Sequence, residues 1–308
     1  MTAPLLSALI VAHNEEAQLE ACLRSCAFAD EVVVVLDRCT DGSKAIAERL
    51  GARLIEGAWP QEGDRRHAGI DACKGPWILE VDADERVPPA LAVEIRKVLD
   101  GAEPGCIQIP FDNYIGNRHI RHGWGAYNGI SVKWSLFWKG CKRWGNQRVH
   151  PSISIEGAKG RVSAAMTHYV DKDITDLFAR LNRYSTLAAA DLIAKGERPG
   201  RLGSIRRFFS RFFKSYVSRR GYREGYHGLA LALFAGLYPL LTHLKVEEAR
   251  YQRRQVSLFL SPLHSRHQHQ RRLQNRNDTR INELLVSNRF RNSLNADISI
   301  KRNSESGH

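Results

Sequence analysis

Apolar and polar positions change their period several times along the chain, and each change marks an element. Residues 5–12 (LLSALIVA) are an unbroken apolar run of buried-strand length. Leu19, Cys22, Leu23 and Cys26 then fall at i, i+3, i+4 and i+7, one face of a helix. EVVVVLD (31–37) is a β-branched run that ends in the turn residues RCTDGS. Ile46, Ala47 and Leu50 predict a helix closed by Gly51. A third strand is expected at 52–56, a helix at 66–73 and a fourth strand at 76–81. Pro88-Pro89 opens a helix running to about residue 100, since proline is tolerated in a first turn. This rhythm predicts an α/β fold: a mostly parallel sheet with helices on both faces.

The pattern then loosens. Residues 111–170 are rich in Gly, Trp, Tyr and His and predict loops and short strands. Residues 173–195 predict one helix. In 204–220, Phe208, Phe209, Phe212, Phe213, Tyr216 and Val217 are expected on one side and Arg207, Arg211 and Lys214 on the other. A basic amphipathic helix with large aromatics suits a membrane surface. GLALALFAGLYPLLTHL (228–244) has 17 residues without a formal charge, interrupted by Pro239. That is short of the ~20 apolar residues a span requires. It fits a hairpin dipping into one leaflet, or a buried core helix. Beyond about 260 the chain is polar and basic; disorder is expected, with a short helix near 279–287.

Charge separates the halves. Residues 1–110 carry 11 Lys/Arg against 19 Asp/Glu, whereas 111–308 carry 35 against 14. The basic half suggests phosphate-bearing partners or an anionic membrane. Six cysteines form no CxxC pair, which predicts a reduced, cytosolic chain. The N-terminus has no basic n-region, and its apolar run ends at His13-Asn14-Glu15-Glu16, as a strand meeting a polar site does.

The candidate chemistry lies at strand ends. Sheets of this kind bind ligands beyond the carboxyl ends of their strands. Asn14-Glu15, Asp37 and Asp82/Asp84 end three separate strands, so they are expected to converge; the alternative is that each caps the following helix. Two carboxylates at i and i+2 of an extended segment point the same way and can share a hard divalent cation, Mg²⁺ or Mn²⁺. Such a cation stabilises charge on a diphosphate leaving group. Asp37 suits a base or ribose. No G-x-G-x-x-G or P-loop lies in 1–110, which disfavours a dinucleotide or P-loop site.

ALIVAHNEE (8–16), VVVVLDRCTDGS (32–43), GDRRHAGIDACKGPWILEVDADE (63–85) and RVHPSI (148–153) together resemble inverting family 2 glycosyltransferases, whose nucleotide-binding fold is called GT-A. The resemblance covers 5–110 well and 111–195 loosely. It implies a nucleotide-sugar site built from Asn14, Glu15, Asp37, Asp64, Arg66, Asp82 and Arg148, with a metal at Asp82 and Asp84. Within the family the chain looks most like enzymes that add glucose to the inner core of bacterial lipopolysaccharide. The RVH element, His168-Tyr169, LNRYSTLAA and the basic aromatic segment carry that likeness. Relatives often have Glu where this chain has Pro151, so the general base is open among His150, Asp112 and Glu156.

The implied organisation is a nucleotide-sugar half (1–110), an acceptor half (111–200), membrane-associating helices (201–250) and a basic tail (251–308). The implied partners are a nucleotide-diphosphate sugar (UDP-glucose or similar), a lipid-linked glycan and the inner face of the cytoplasmic membrane. A polyprenyl-phosphate acceptor is the alternative within the fold. A nucleic-acid-binding protein is the alternative from another class, and it leaves Asp37, Asp82 and Asp84 unexplained; no nucleic-acid partner is expected.

Overall fold

The computed structural model describes residues 5–125, 131–145 and 152–255. Four parallel strands open the sheet: β1 (Leu6–Ala12), β2 (Glu31–Asp37), β3 (Arg53–Gly57) and β4 (Trp77–Asp82), in the order β3-β2-β1-β4. Helices α1 (Glu16–Ser25), α2 (Ser43–Arg49), α3 (Glu62–Ala72) and α4 (Pro89–Leu99) connect or follow them. The alternation of side chains along a strand produces two cores. Leu6, Ala8 and Ile10 of β1 cluster with Leu19 of α1, Ala47 of α2 and Leu91 and Ile95 of α4. Leu9 instead joins Val33, Val35, Ile78 and Ile70 of α3 on the other face. With both faces covered, the strands read as unbroken apolar runs. Gly69 sets how closely α3 approaches: a Cβ there would lie 2.5 Å from Leu9 Cδ1 and 2.7 Å from Val35 Cγ2.

α3 begins four residues before the expected 66. Its first turn holds Glu62 and Asp64, which suit a helix N-terminus electrostatically but add nothing to the apolar period. Beyond β4 the sheet becomes mixed. A two-residue strand β5 (Glu85–Arg86) follows β4, and the eleven-residue β6 (Gly105–Ile115) crosses the expected boundary at 110 without a break. A hairpin strand β7 (Arg118–His119) pairs with β6. β8 (Val132–Trp138) inserts antiparallel between β4 and β6. β9 (Lys142–Trp144) and β10 (Ile153–Ile155) form a separate ribbon, and β11 (Ala158–Arg161) and β12 (Met166–Asp171) both run parallel to β6.

Asp173 accepts from the Asp176 N–H at 2.8 Å and starts α5 (Ile174–Ala194), close to the expected 173–195. α6 (Arg201–Phe213) continues into a π turn over Lys214–Ser218, and α7 (Gly221–Gln255) opens with a 3-10 turn. The aromatic face expected on 204–220 divides in two. Phe208 packs on Gly236 of α7, and Arg211 lies over the Tyr238 ring at 5.6 Å, so both face inward. Phe209, Phe213 and Val217 are exposed.

The apolar segment 228–244 does not reverse as a hairpin would. It lies within α7, a helix long and apolar enough to cross a membrane by length and composition alone. The helix runs through Pro239, although an interior proline typically costs ~3 kcal/mol. Packing offsets this: Leu231, Ala232, Ala235 and Val246 are buried, and Lys245 Nζ donates to Asn182 and Ser185 of α5. The chain divides into two compact units, 1–246 and 247–308; of the second, 247–255 are described and are helical. The expectations for the tail, disorder past 260 and a helix near 279–287, lie outside the described residues.

Candidate active site

Register brings the strand ends together. Ala12 lies opposite Leu36, and Val11 lies opposite Asp82, so β1, β2 and β4 end at one edge. Just past β1 and β2, Asn14 (φ 58°) and Arg38 (φ 53°) adopt left-handed backbone, uncommon for residues other than glycine. Strained positions of this kind cluster at functional sites. Asn14 Oδ1 accepts the Thr40 N–H at 2.8 Å, and the Glu15 N–H donates to Ser43 Oγ at 3.0 Å. Burial raises the Glu15 carboxyl, and the charges of Asp84, Asp41 and Asp82 raise it further. The acids of three strand ends therefore share one field.

Asp37 is buried beneath a layer of donors. It accepts from Arg38 at 2.8 and 2.9 Å, from Arg65 at 3.3 Å and from the Trp59 N–H at 3.1 Å. Burial opposes its ionisation, but these donors prevail and hold the carboxyl below its usual range. Asp64 is half-buried on α3, one residue before Arg65.

Asp82 is held between two cations. Arg66 reaches its Oδ1 at 3.0 Å, and Lys133 of β8 reaches its Oδ2 at 2.8 Å. Burial opposes ionisation here too, yet Lys133 and Arg66 keep the carboxyl well below the ordinary value. Arg66 also binds Glu62 at 2.8 Å and Glu80 at 3.4 Å and stacks over Trp144 at 4.5 Å. Lys142 pairs with Glu80, and Trp144 Nε1 donates to Glu80 at 3.0 Å. The sequence places Arg66 at the nucleotide sugar; the structure encloses its guanidinium among three carboxylates, where it orients Asp82.

Asp82 and Asp84 do not lie on one extended strand, as the Asp-x-Asp reading assumes. β4 ends at Asp82, and the chain turns before β5. The turn carries Asp84 to Glu85 and to His168 of β12: one ligand atom from each of the three lies within 4.8 Å of the others. His168 Nδ1 meets Asn113 Oδ1 at 2.8 Å, so the donating proton belongs there. His168 Nε2 then faces Asp84 Oδ2 at 3.4 Å as a second acceptor. Two facing acceptors call for a proton or a cation between them. Asp84 Oδ1 is buried with no hydrogen-bond partner among the described residues. The donor set, two carboxylate oxygens and one imidazole nitrogen, fits Mg²⁺ or Mn²⁺. Glu85 and His168 were not singled out as ligands from sequence. The His-Tyr pair at 168–169 was a signal, but only the fold of β12 against β5 carries it to Asp84.

Burial, set against the attraction of Lys133 and supplemented by Asp82, raises the Glu85 carboxyl to about 7. A carboxyl raised in the folded state favours folding below its unfolded value, and that contribution is lost as pH rises through the folded value. Without divalent metal, the melting temperature should therefore fall between pH 5 and 7.5, and fall less in Glu85→Gln. Mn²⁺ affinity should rise over the same interval, because a ligand must lose its proton. Scanning calorimetry and titration calorimetry read the two; equal pH slopes in both proteins would contradict the assignment.

On the acceptor side, Asp112 is half exposed in the second half of β6, next in sequence to Asn113, with His119 Nε2 at 3.2 Å. Glu156 is not brought to the site. Its N–H bonds to Cys141, and the next strand, β11, pairs with Gly105 and Cys106 at the other end of β6. Seven residues of strand, roughly 20 Å, separate that end from Asn113. His150 and Arg148 lie outside the described residues.

Glycosyl transferase family 2 is the family whose profile matches residues 7–154, which contain the edge formed by β1, β2 and β4 and the acids of Asp82–Glu85. An uncharacterized glycosyltransferase of Rickettsia bellii is 27% identical over 257 residues, 80% of this chain and 87% of that one. The lipopolysaccharide core biosynthesis glycosyltransferase LpsC of Rhizobium meliloti is 29% identical over 267 residues, 80% of this chain and 92% of that one. Among solved structures, S. aureus TarS overlaps 60% of this chain and 39% of its own at a TM-score of 0.41 and 14% identity. Glucosyl-3-phosphoglycerate synthase from Mycobacterium tuberculosis overlaps 36% of this chain and 44% of its own at a TM-score of 0.31 and 22% identity. The chain thus spans less than half the length of either solved protein. With glycosyltransferases aligning over four-fifths of its length, and with residues 7–154, which hold the strand edge that gathers the acids, matching the family 2 model, the chain is a glycosyltransferase.

Proposed function

We propose that the protein moves a sugar from a nucleotide-diphosphate donor to a lipid-linked glycan on the inner face of the bacterial cytoplasmic membrane, inverting the anomeric carbon. The observation that carries this is the edge where Glu15, Asp37, Asp82 and the Asp84–Glu85–His168 cluster converge. Asp37, presented with Arg38 and Arg65, suits the hydrogen-bonding groups of a nucleoside. A divalent cation at Asp84, Glu85 and His168 would supply positive charge to the departing diphosphate. Asp82, fixed by Arg66 and Lys133, orients that edge and can accept from ribose. An in-line attack needs the acceptor hydroxyl on the far side of the sugar from the diphosphate. The likeness to the Rhizobium meliloti protein supports an acceptor in lipopolysaccharide core synthesis. A panel of nucleotide-diphosphate sugars with a lipopolysaccharide-core acceptor tests the function, with NMR of the product's anomeric configuration. Retention of configuration, or transfer from no donor in the panel, would sink the proposal.

Asp112 is the proton acceptor we favour of the two described candidates, because it is next in β6 to Asn113, the partner of His168, whereas Glu156 lies by the other end of that strand. Asp112→Asn should lower turnover by ~100-fold or more, the usual scale for general base catalysis. His150→Ala should keep most of it. The reverse outcome would make His150 the base.

The membrane surface rests on exposed apolar stripes. Leu202, Ile205, Phe209 and Phe213 line α6, and Tyr222, Tyr226, Leu229 and Leu233 line α7. Between residues 198 and 223 every formal charge is positive. Anionic vesicles should therefore carry the protein down on centrifugation, and salt should release part of it. Phe209→Ser with Phe213→Ser should reduce the bound fraction several-fold; unchanged binding would contradict this surface.

A further inference from the structure

One cavity lies beside the site and is explained by no step above. It has a volume of about 360 Å³ and is lined by Asp112, Asn113, His119, Arg121, Trp124 and Ser131, among others. It stands one imidazole away from the metal-capable cluster, since Asn113 contacts His168 and His168 faces Asp84.

The cavity wall is built and held. Glu224, buried at the start of α7, accepts the backbone N–H groups of Arg121 and His122 at 3.0 and 3.1 Å. Ser215 Oγ donates to Gly123 O at 2.7 Å, and the Gly123 N–H donates to Arg219 O at 3.0 Å. Gly125 sits at φ 143°, a backbone conformation that other residues rarely adopt, beside the Arg219 guanidinium. Trp124 is anchored in the apolar cluster of Ile115, Ile120, Leu177 and Leu231. These contacts, some a hundred residues apart in sequence, tie the cavity to the corner between α6 and α7. The loop is thereby fixed to the helices that carry the exposed apolar stripes.

The charge of the wall is uneven. Arg121 projects an exposed guanidinium, and no carboxylate pairs with it among the described residues. Arg118 is exposed beside it, and its nearest acid, the Glu224 carboxylate, is 4.0 Å away and already accepts two backbone donors. Asp112 is the only acid among the described lining residues, and His119 covers one of its oxygens at 3.2 Å. His119 is itself stacked on Tyr114, with ring centroids 4.9 Å apart, so its position is fixed. The exposed Arg121 fork gains more from an anionic oxygen than from water or a neutral sugar hydroxyl. Planar guanidinium binds carboxylate and phosphate oxygens two at a time, which gives both geometry and energy.

We propose that this cavity binds the acceptor sugar and that the sugar carries an anionic group, a carboxylate or a phosphate, read by Arg121 with Arg118 beside it. The proposal rests on the transfer reaction above and names its acceptor class. Asp112 then faces the hydroxyl that attacks, and the anion lies toward the α6–α7 corner, where a lipid-linked glycan would enter.

The test uses the full chain with Mn²⁺ and a nucleoside diphosphate, and three probes by saturation-transfer NMR and calorimetry: methyl glucoside, methyl glucuronide and methyl glucoside 6-phosphate. One or both anionic probes should bind at least about tenfold more tightly than the neutral one, and whichever does identifies carboxylate or phosphate. Arg121→Gln should abolish the difference, and Arg121→Lys should restore part of it by keeping the charge without the fork. Equal binding of all three probes, a preference unaltered in Arg121→Gln, or no binding of any probe would overturn the proposal. The underlying reaction is judged separately: if the nucleoside diphosphate with Mn²⁺ does not bind the wild-type chain, the transfer itself is refuted, whatever the probes do.

Discussion

Asp84→Asn should fold normally and lose at least ~100-fold in transfer, the loss that follows removal of one preorganised electrostatic group. Asp84 lies in the turn after β4, outside both halves of the core, so packing does not depend on its charge. Its Oδ1 is buried without a partner among the described residues, and its Oδ2 faces His168. An amide keeps the shape and removes the negative charge that a cation needs. The folded state should gain slightly, since the mutual repulsion with Glu15 and Glu85 falls. Circular dichroism and a melting curve check the fold, and transfer to a lipopolysaccharide-core acceptor checks the activity. Near-normal turnover in Asp84→Asn, with or without added metal, would remove the metal from the account.

Arg66→Met should be the most destabilising single change at the site, by ~2–3 kcal/mol, because it removes a charge-assisted partner from three carboxylates, of which Glu80 and Asp82 keep a lysine each. Its guanidinium side chain is 10% exposed and contacts Glu62, Glu80 and Asp82. Burial works against its charge, but the three acids raise its pKa further above the ordinary value. For a chain of this size such a loss corresponds to a fall of roughly 5 °C in melting temperature. A fall under about 2 °C would show that water reaches the cluster and screens it.

The nucleotide-binding half was legible because its rules are local. Unbroken apolar runs named β1, β2 and β4, and the parallel register then forced their carboxyl ends to one edge. What the sequence concealed was non-local or turn-dependent. The Asp-x-Asp spacing predicts two carboxylates on one side of a strand; a turn after Asp82 ends the strand, and Arg66 and Lys133, 16 and 51 residues away, claim Asp82. His168 reaches Asp84 only because β12 lies between β5 and β6. Glu156 looked equivalent to Asp112 in sequence, yet the pairing of β11 with the start of β6 sends it to the other end of the sheet. The aromatic segment 204–220 carried too many large side chains for one face. The packing of Phe208 on Gly236 decides which of them turn inward.

A divalent cation at Asp84, Glu85 and His168 would join the protein to a nucleotide diphosphate, and nucleotide-dependent thermal stabilisation reads that link. Wild-type protein is melted with each of five nucleoside diphosphates, with Mn²⁺ and with chelator, alongside Asp84→Asn and His168→Ala. At least one nucleotide should raise the melting temperature only when Mn²⁺ is present, in line with mass action on the folded state. This rise should be lost in Asp84→Asn and reduced in His168→Ala. A rise of equal size in chelator, or one undiminished in Asp84→Asn, would contradict that link.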